Sequence, residues 1–311
     1  MICPSIWPTP PAYLGETAAL TAAFIWSFTM CIYRFHGQDL SANAINLFKN
    51  VVAFACLIIT ITIISRPWPS EPHLVSLLML SGVIGLVISD SCMFAALKRL
   101  GAQTTAAILC LAPPLAAVLA WFVHDEVLSR STIIGMTITV LSVAGVILMS
   151  HSSHLEDGAH RKRGIMLALL AALAQAVGMV LAKGPFKELD PMTGEHKIDV
   201  FMGTLIRITP AVAVLLLINW HQRARANWSI LLKPKKRLAY LLLASLFGSY
   251  IGLLLLTTGI TFTSVGVATT LSATFPIWII PISYFFLSEQ PRLGQVICTL
   301  TAVAGVALLM T

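Results

Sequence analysis

Three charged side chains interrupt otherwise apolar runs of the sequence, and they are the first candidates for chemistry. Asp90 lies in the run VISDSCMFAAL, Lys49 in INLFKNVVAFACL and Arg207 in FMGTLIRITPAV. If these runs are membrane helices, each charge costs about 2.5–3.5 kcal/mol at the helix centre on insertion scales. We therefore expect these residues to serve a functional site, or to pair with a charge on another helix.

Asp90 has no basic residue next to it in the sequence. Because burial disfavours the charged form of a carboxyl group, Asp90 is predicted to be a proton site or a contact for a substrate amine. The alternative is a structural carboxylate, which neighbouring hydroxyl groups hold or a cation neutralises.

Lys49 and Arg207 have no acidic residue three or four positions away on their own helices. An unpaired cation of this kind is satisfied by a carboxylate or phosphate through charge-assisted hydrogen bonds. Both residues are therefore predicted to hold the negatively charged end of a substrate. The alternative is that each side chain extends to the nearby membrane surface.

Several other residues could shape or line a cavity. Rings or an amide for substrate binding are predicted at Trp26, Gln175, Tyr250 and Trp278, although aromatic residues also anchor helices at the membrane surface. Pro113 and Pro276 fall in the middle of predicted helices, where proline kinks the backbone. Such a kink frees carbonyl groups to face a cavity, and a purely structural kink is the alternative.

The composition explains why these residues stand out. Of 311 residues, 57% are hydrophobic and 11% are charged, against roughly 25% charged in ordinary soluble domains. A bilayer core needs about 20 apolar residues per helix, and such runs recur along the whole chain. The sequence therefore predicts an all-α, multi-pass membrane protein, which we expect in the bacterial inner (plasma) membrane.

Apolar runs and their breaks predict ten transmembrane helices. They are placed at roughly 13–33, 43–65, 73–97, 101–123, 131–149, 164–183, 198–219, 236–258, 263–286 and 292–310. The longest polar connection, 151–163, is predicted to link a first unit, 1–150, to a second, 164–311.

An internal repeat is the strongest pattern in the sequence. A shift of 163 residues places Gly85 on Gly248 and Pro113 on Pro276. Five spans in each unit would place the second unit upside down relative to the first. Inverted repeats of this kind are a common transporter architecture, with a binding site near the membrane midplane.

Both copies of the repeat resemble one family. The segment LKRLGAQTTAAILCLAPPLAAVLAWFVHDEVLS with its following VAGVILM, and the segment TSVGVATTLSATFPIWIIPISYFFLSEQ with VAGVALLM, resemble the ten-helix EamA-like exporters of the drug/metabolite transporter superfamily. Trp26-Ser27 followed by Arg34 is similar to the family's Trp-Gly…Lys pattern, with Ser in place of Gly. The resemblance implies a metabolite exporter with a central cavity, lined mainly by the first, third and fourth helices and their counterparts.

Membrane orientation is left open by two conflicting arguments. Thirteen loop cations lie on one predicted side and five on the other, which by the positive-inside rule places both termini outside the cytoplasm. The family resemblance implies cytoplasmic termini.

Other functional classes are disfavoured by the sequence. The net charge of +7 comes from cations scattered over short loops, so no nucleic-acid partner is expected. No GxxxxGK[ST] phosphate loop or HExxH motif occurs, and no cofactor or metal is expected. Glu126 and Glu289, at predicted helix ends, are expected to form a cap or a loop ion pair.

We expect an alternating-access exporter of small polar or amphipathic metabolites such as amino acids, with the lipid bilayer and a small-molecule substrate as partners. An intramembrane enzyme that pairs Asp90 with Glu126, and a non-transporting scaffold or sensor, are the alternatives. Composition is compatible with both a monomer and a homodimer.

Overall fold

The computed structural model describes residues 13–65, 68–124, 129–149, 158–189, 197–221, 235–263, 265–287 and 292–308. Within these ranges the chain is helical and has no β-sheet. The helices are α1 Leu14–His36, α2 Ala42–Ile64, α3 Pro72–Gly82, α4 Asp90–Leu109, α5 Ala112–His124, α6 Arg130–Met149, α7 Gly158–Lys187, α8 Val200–His221, α9 Lys235–Ala244, α10 Gly252–Phe262, α11 Val265–Ser272, α12 Phe275–Leu287 and α13 Leu293–Ala307. Two π-helices, π1 Val83–Ser89 and π2 Ser245–Ile251, join α3 to α4 and α9 to α10.

Eight continuous helical stretches in the described ranges are long and apolar enough to cross a membrane. Some of them, such as Pro72–Leu109, join several of the helices named above. Two shorter apolar helices, Ala112–Val123 and Leu293–Ala307, accompany them. The prediction of an all-α, multi-pass membrane protein is therefore confirmed. The count of exactly ten spans, the unit boundaries and the inverted orientation of the repeats stay predictions.

The boundary between the third and fourth predicted helices differs from the sequence prediction. Instead of a break between roughly 97 and 101, helix continues from Pro72 to Leu109 and changes direction at Gly101, whose φ is 80° and ψ is 174°. This conformation is essentially restricted to glycine, because a Cβ would clash with the backbone. A single residue therefore separates the two helices.

Gly101→Ala should consequently destabilise the folded protein by about 1–3 kcal/mol, the usual cost of a strained backbone conformation. Thermal unfolding of the purified protein in detergent measures the effect. Gly184→Ala is the matched control, because a Cβ at Gly184 meets no atom within 4 Å. Equal melting temperatures for the two variants would contradict the argument.

The mid-helix positions predicted for Pro113 and Pro276 are wrong in detail. The helices break at Cys110–Leu111 and at Ala273–Thr274, so both prolines lie in the first turn of a new helix, α5 and α12 respectively. The missing N–H of proline costs nothing there, because first-turn N–H groups have no partner within the helix. The prolines therefore mark helix starts after a break.

The two breaks meet in the interior. The Sγ of Cys110 lies 3.9 Å from the Ala273 carbonyl oxygen, and the two residues are 163 positions apart. Near the second break, Ser27 on α1 donates a hydrogen bond to the Phe275 carbonyl oxygen at 3.0 Å. Equivalent points of the two repeats thus lie against each other, and α1 packs beside them.

Small residues and hydroxyl groups hold the helices together. Ser81 and Ser89 donate to the Gly178 and Ala171 carbonyl oxygens of α7 at 2.7 and 2.9 Å. A Cβ at Gly82 would lie 1.9 Å from the Arg207 carbonyl oxygen of α8. Close approach of this kind is how helices associate where burial from water gives little driving force. Here it fixes α3 against both α7 and α8, and π1 against α7.

Candidate functional site

A cavity opens between the helices of the two repeats. The space that it offers to water-sized molecules has a volume of about 150 Å³. Residues of α1, α2, π1, α4, α7, α8, π2 and α10 line it, together with Phe275 at the start of α12. The charged residues that line it are Lys49, Asp90 and Arg207.

Lys49 and Asp90 form an ion pair across the cavity wall. The Lys49 Nζ donates to Asp90 Oδ2 at 2.7 Å, and the two side chains are 9% and 20% exposed. The two residues lie on different helices, 41 positions apart. The pair is therefore not visible among residues three or four positions away on the helix of Lys49. Lys49 therefore has an acidic partner, whereas the sequence predicted that it has none. Its side chain points to Asp90 and not to the membrane surface. Asp90, in turn, is not a lone acid.

Arg207 is a buried residue that lines the same cavity. The residue is 4% exposed, and its Nε has no hydrogen-bond partner among the described residues. Its guanidinium lies beside Gly85 of π1, where a Cβ would be 3.6 Å from Nη2. Asp90 acts on it electrostatically but forms no ion pair with it within 4 Å. An Arg without a bound partner in a buried site is costly, and the cavity offers it room for one.

The π1 helix places Asp90 at the cavity. A π-turn leaves carbonyl groups without their usual helical partners, and such turns are frequent at functional sites. Asn46, one turn before Lys49 on α2, donates from Nδ2 to the Leu86 carbonyl oxygen at 2.8 Å and to Ser91 Oγ at 2.9 Å. Sequence reasoning missed Asn46, although a polar amide in an apolar run was a usable signal.

The π2 helix is held in a corresponding way by α1. Trp26 donates from Nε1 to the Gly248 carbonyl oxygen at 2.9 Å. Tyr33 shares a hydrogen bond with Ser245 at 3.0 Å between the two hydroxyl oxygens. Both aromatic residues line the cavity. The indole N–H of Trp26 is therefore already used, and only its ring is left for a ligand; its role in substrate binding stays a prediction.

Of three other residues predicted to bind substrate, one lines the cavity and two lie outside it. Gln175 of α7 lines the cavity, and its amide makes no hydrogen bond to a described residue. Tyr250 lies outside the lining and shares a 2.6 Å hydrogen bond with Thr60. Trp278 is 37% exposed and packs edge-on against Phe24, with ring centroids 5.3 Å apart. The structure thus brings Trp26, Lys49, Asp90, Gln175 and Arg207 together, and leaves Tyr250 and Trp278 outside.

Ion pairs beyond the cavity tie the two repeats at their helix ends. At one end, Arg237 pairs with Asp39 at 2.9 Å. At another, Lys197 contacts Glu188 at 2.7 Å and Glu71 at 3.7 Å. The hydrogen bond between Lys197 and Glu188 lowers the pKa of the Glu188 carboxyl and raises that of the Lys197 ammonium. The Arg237–Asp39 and Lys197–Glu71 contacts join the repeats outside the cavity, whereas Lys197–Glu188 lies within the second repeat.

Glu126 and Glu289, the two acids at predicted helix ends, lie outside the described residues. Within the described ranges, no group of three or more His, Cys, Asp or Glu side chains is arranged to hold a metal ion.

Comparison with known proteins identifies both repeats. The EamA-like transporter family matches the chain twice, over residues 13–149 and over residues 162–311. A solved structure titled "Crystal structure of protein" has the same fold, with a TM-score of 0.64 over 94% of this chain and 95% of its own, at 15% identity. No curated protein matches the chain.

Proposed function

Because the chain belongs to the EamA-like transporter family, we propose that it is a secondary transporter that exports small polar or amphipathic metabolites, amino acids among them. The observation that carries the substrate class is Arg207, a buried guanidinium without an ion-pair partner among the described residues. It lies in a cavity whose other charged side chains, Lys49 and Asp90, neutralise each other. The cavity lining thus has an excess positive charge, which favours a ligand that carries a carboxylate or phosphate.

The geometry of the cations supports this choice. A guanidinium presents paired N–H groups that match the two oxygens of a carboxylate, and a charge-assisted bond of this kind is roughly twice as strong as a neutral one. Lys49 and Arg207 come from different repeats and line one cavity. We propose that they bind the anionic end of the substrate together.

Alternating access is the proposed mechanism. Two copies of one fold, opposed in the membrane, can exchange near-equivalent conformations so that a central site opens to each side in turn. The direct contact of Cys110 with Ala273, its repeat equivalent, supports such a pseudo-symmetric arrangement. Proton coupling at Asp90 stays a prediction. It requires a state in which the ion pair between Asp90 and Lys49 is broken.

Counterflow in proteoliposomes tests the proposal. Vesicles containing the purified protein are preloaded with one unlabelled amino acid and exposed to a trace of the same compound with a radioactive label. We expect transient accumulation of label for at least one amphipathic amino acid, and none in protein-free vesicles. Absence of counterflow across a panel of amino acids and small carboxylates, with the protein folded, would overturn the proposed function.

A further inference from the structure

Three hydroxyl groups lie together at the cavity wall, between α1 and π2. The hydroxyl oxygens of Tyr33 on α1 and Ser245 on π2 are 3.0 Å apart. Ser249, further along π2, lies next to the Tyr33 hydroxyl. The exposures of Tyr33, Ser245 and Ser249 are 5%, 0% and 7%, and Tyr33 and Ser249 line the cavity. The three groups therefore form a buried chain of hydroxyls with one end at the cavity.

The direction of the hydrogen bonds in this chain follows from the single proton that each hydroxyl carries. Ser245 donates its proton to the Leu241 carbonyl oxygen at 2.7 Å. It can therefore only accept from Tyr33, so Tyr33 is the donor of the 3.0 Å bond. With its own proton used, Tyr33 can only accept from Ser249. All three protons thus point along the chain, away from the cavity and towards the backbone of π2.

Ser249 is the member of the chain that is left with an open position. Unlike Ser245, it makes no hydrogen bond to the backbone of a described residue. With its proton on Tyr33, the Ser249 oxygen presents only lone pairs to the cavity. Trp26 fixes this position, since it donates to the carbonyl oxygen of Gly248, directly before Ser249, at 2.9 Å. The chain therefore ends in a fixed hydrogen-bond acceptor.

We propose that Ser249 and Tyr33 form a second polar subsite of the cavity, which selects substrates that carry a neutral hydroxyl or N–H donor in addition to their carboxylate. The inference rests on the proposed function and adds a specificity-determining contact to it. Arg207 binds the carboxylate, while Lys49 and Asp90 remain paired with each other. A monocarboxylate then balances the charges of the lining, and its selection depends on the neutral donor.

An acceptor with a fixed direction distinguishes ligand groups of similar size. A ligand hydroxyl donates to Ser249 and completes the chain. An ether oxygen places its lone pairs against those of Ser249, and a methyl group leaves the buried oxygen without a donor, which is costly. A site built to bind a hydroxyl group therefore rejects the analogue that lacks it.

The rest of the lining suits an aromatic ring. Phe94 and Phe275 are buried aromatic residues of the cavity wall. Met30 and Met93 also line the cavity, and methionine sulfur makes favourable contacts with aromatic rings. A ring that carries a carboxylate at one end and a variable group at the other is therefore a suitable probe of both subsites.

Three probes separate donor, acceptor and apolar groups: 4-hydroxyphenylacetate, 4-methoxyphenylacetate and 4-methylphenylacetate. The corresponding 3-arylpropanoates test a second distance between the carboxylate and the variable group. Calorimetry on the purified full-length protein measures each affinity. At one of the two lengths, we expect the hydroxyl probe to bind about 3- to 10-fold more tightly than the methyl probe, the usual net effect of one hydrogen bond. The methoxy probe should bind no more tightly than the methyl probe.

Two variants change the subsite in different ways. In Ser249→Ala, the preference for the hydroxyl probe over the methyl probe should disappear. Tyr33→Phe releases the proton of Ser249, which can then donate to a ligand, so the methoxy probe should gain several-fold in affinity relative to the methyl probe. A purely structural role for the hydroxyls predicts neither change, because loss of packing weakens all three probes together and keeps their ratios.

A matched control and a second route to the same result keep the test decisive. Tyr250→Phe removes a 2.6 Å hydroxyl bond to Thr60 outside the cavity lining and should leave every ratio unchanged. If Tyr33→Phe does not fold, Ser245→Ala replaces it, because Tyr33 can then donate to Ser249 and free the Ser249 proton for the ligand. The methoxy probe should again gain relative to the methyl probe.

The outcomes distinguish the subsite from the proposed function. Equal affinities for the hydroxyl and methyl probes in the wild type at both lengths would overturn the subsite, as would unchanged ratios in Ser249→Ala or no binding of any probe. Binding does not require translocation. The expected ratios without counterflow of any substrate would therefore remove the transport function and leave the subsite intact, whereas counterflow without a preference for the hydroxyl probe removes the subsite alone.

Discussion

Arg207→Gln should lower the affinity for a carboxylate-bearing probe such as leucine by roughly 10- to 150-fold. This range corresponds to about 1.5–3 kcal/mol, the usual value of a hydrogen bond to a charged group. The buried guanidinium has an orphaned Nε and no ion pair with a described residue, so the variant breaks no ion pair within the described protein. Glutamine keeps a polar group on a shorter side chain and removes the charge. Calorimetry and counterflow at subsaturating leucine measure the loss.

Two variants separate the charge from the fold. Arg207→Lys keeps the positive charge but loses the paired N–H geometry, so its affinity should fall between those of the wild type and Arg207→Gln. Arg237→Gln makes the same chemical change in the helix-end pair with Asp39 and should leave leucine affinity unaltered. Wild-type affinity in a well-folded Arg207→Gln protein would remove Arg207 from the binding site.

The broad architecture was predictable because the membrane imposes it. A chain that is 57% hydrophobic must satisfy its backbone within helices when water is absent, so apolar runs translate directly into helices. The repeat was equally visible, because Gly85 and Pro113 recur as Gly248 and Pro276 at a spacing of 163 residues. Both signals can be read from the sequence without knowing how the helices pack.

The ion pair in the cavity was not predictable by the same reasoning. Acidic partners were sought along the helix of Lys49, whereas Asp90 reaches it from another helix, 41 positions away. A pair between helices depends on how they pack, and one sequence does not specify this. The sequence did identify Lys49 and Asp90 as unusual charges in apolar runs. The structure shows that each is the ion-pair partner of the other.

The π-helices were missed for a related reason. The segments VIGLVIS and SLFGSYI are ordinary apolar stretches with no local signal for a wider turn. The contacts that accompany the π-turns are tertiary hydrogen bonds. Asn46 binds a carbonyl of π1, and Trp26 binds a carbonyl of π2, from other helices. The sequence therefore predicted which segments are helical, but not where their turns widen to shape the cavity.

Gly82→Val should produce the largest loss of stability of any single change considered for this chain. A Cβ at Gly82 would lie 1.9 Å from the Arg207 carbonyl oxygen and 2.7 Å from its carbonyl carbon. Both are backbone atoms of a buried helix, so no side-chain rotation relieves the overlap, and α3 must separate from α8. Overpacking in a well-packed interior typically costs about 1–3 kcal/mol and occasionally more, and we expect about 3 kcal/mol or more here.

The same change should also impair binding, because the backbone that must move carries Arg207. Thermal unfolding in detergent reports the stability, and calorimetry with leucine at a temperature where the variant remains folded reports the site. Gly85→Ala is the matched control, three residues along the chain. There a Cβ would lie 3.6 Å from Arg207 Nη2 and 3.8 Å from the Gly178 Cα, which is ordinary van der Waals contact. Equal melting temperatures for Gly82→Val and Gly85→Ala would contradict the close packing of α3 against α8 at Gly82. In that case, the backbone of Arg207 would not be held in place by α3.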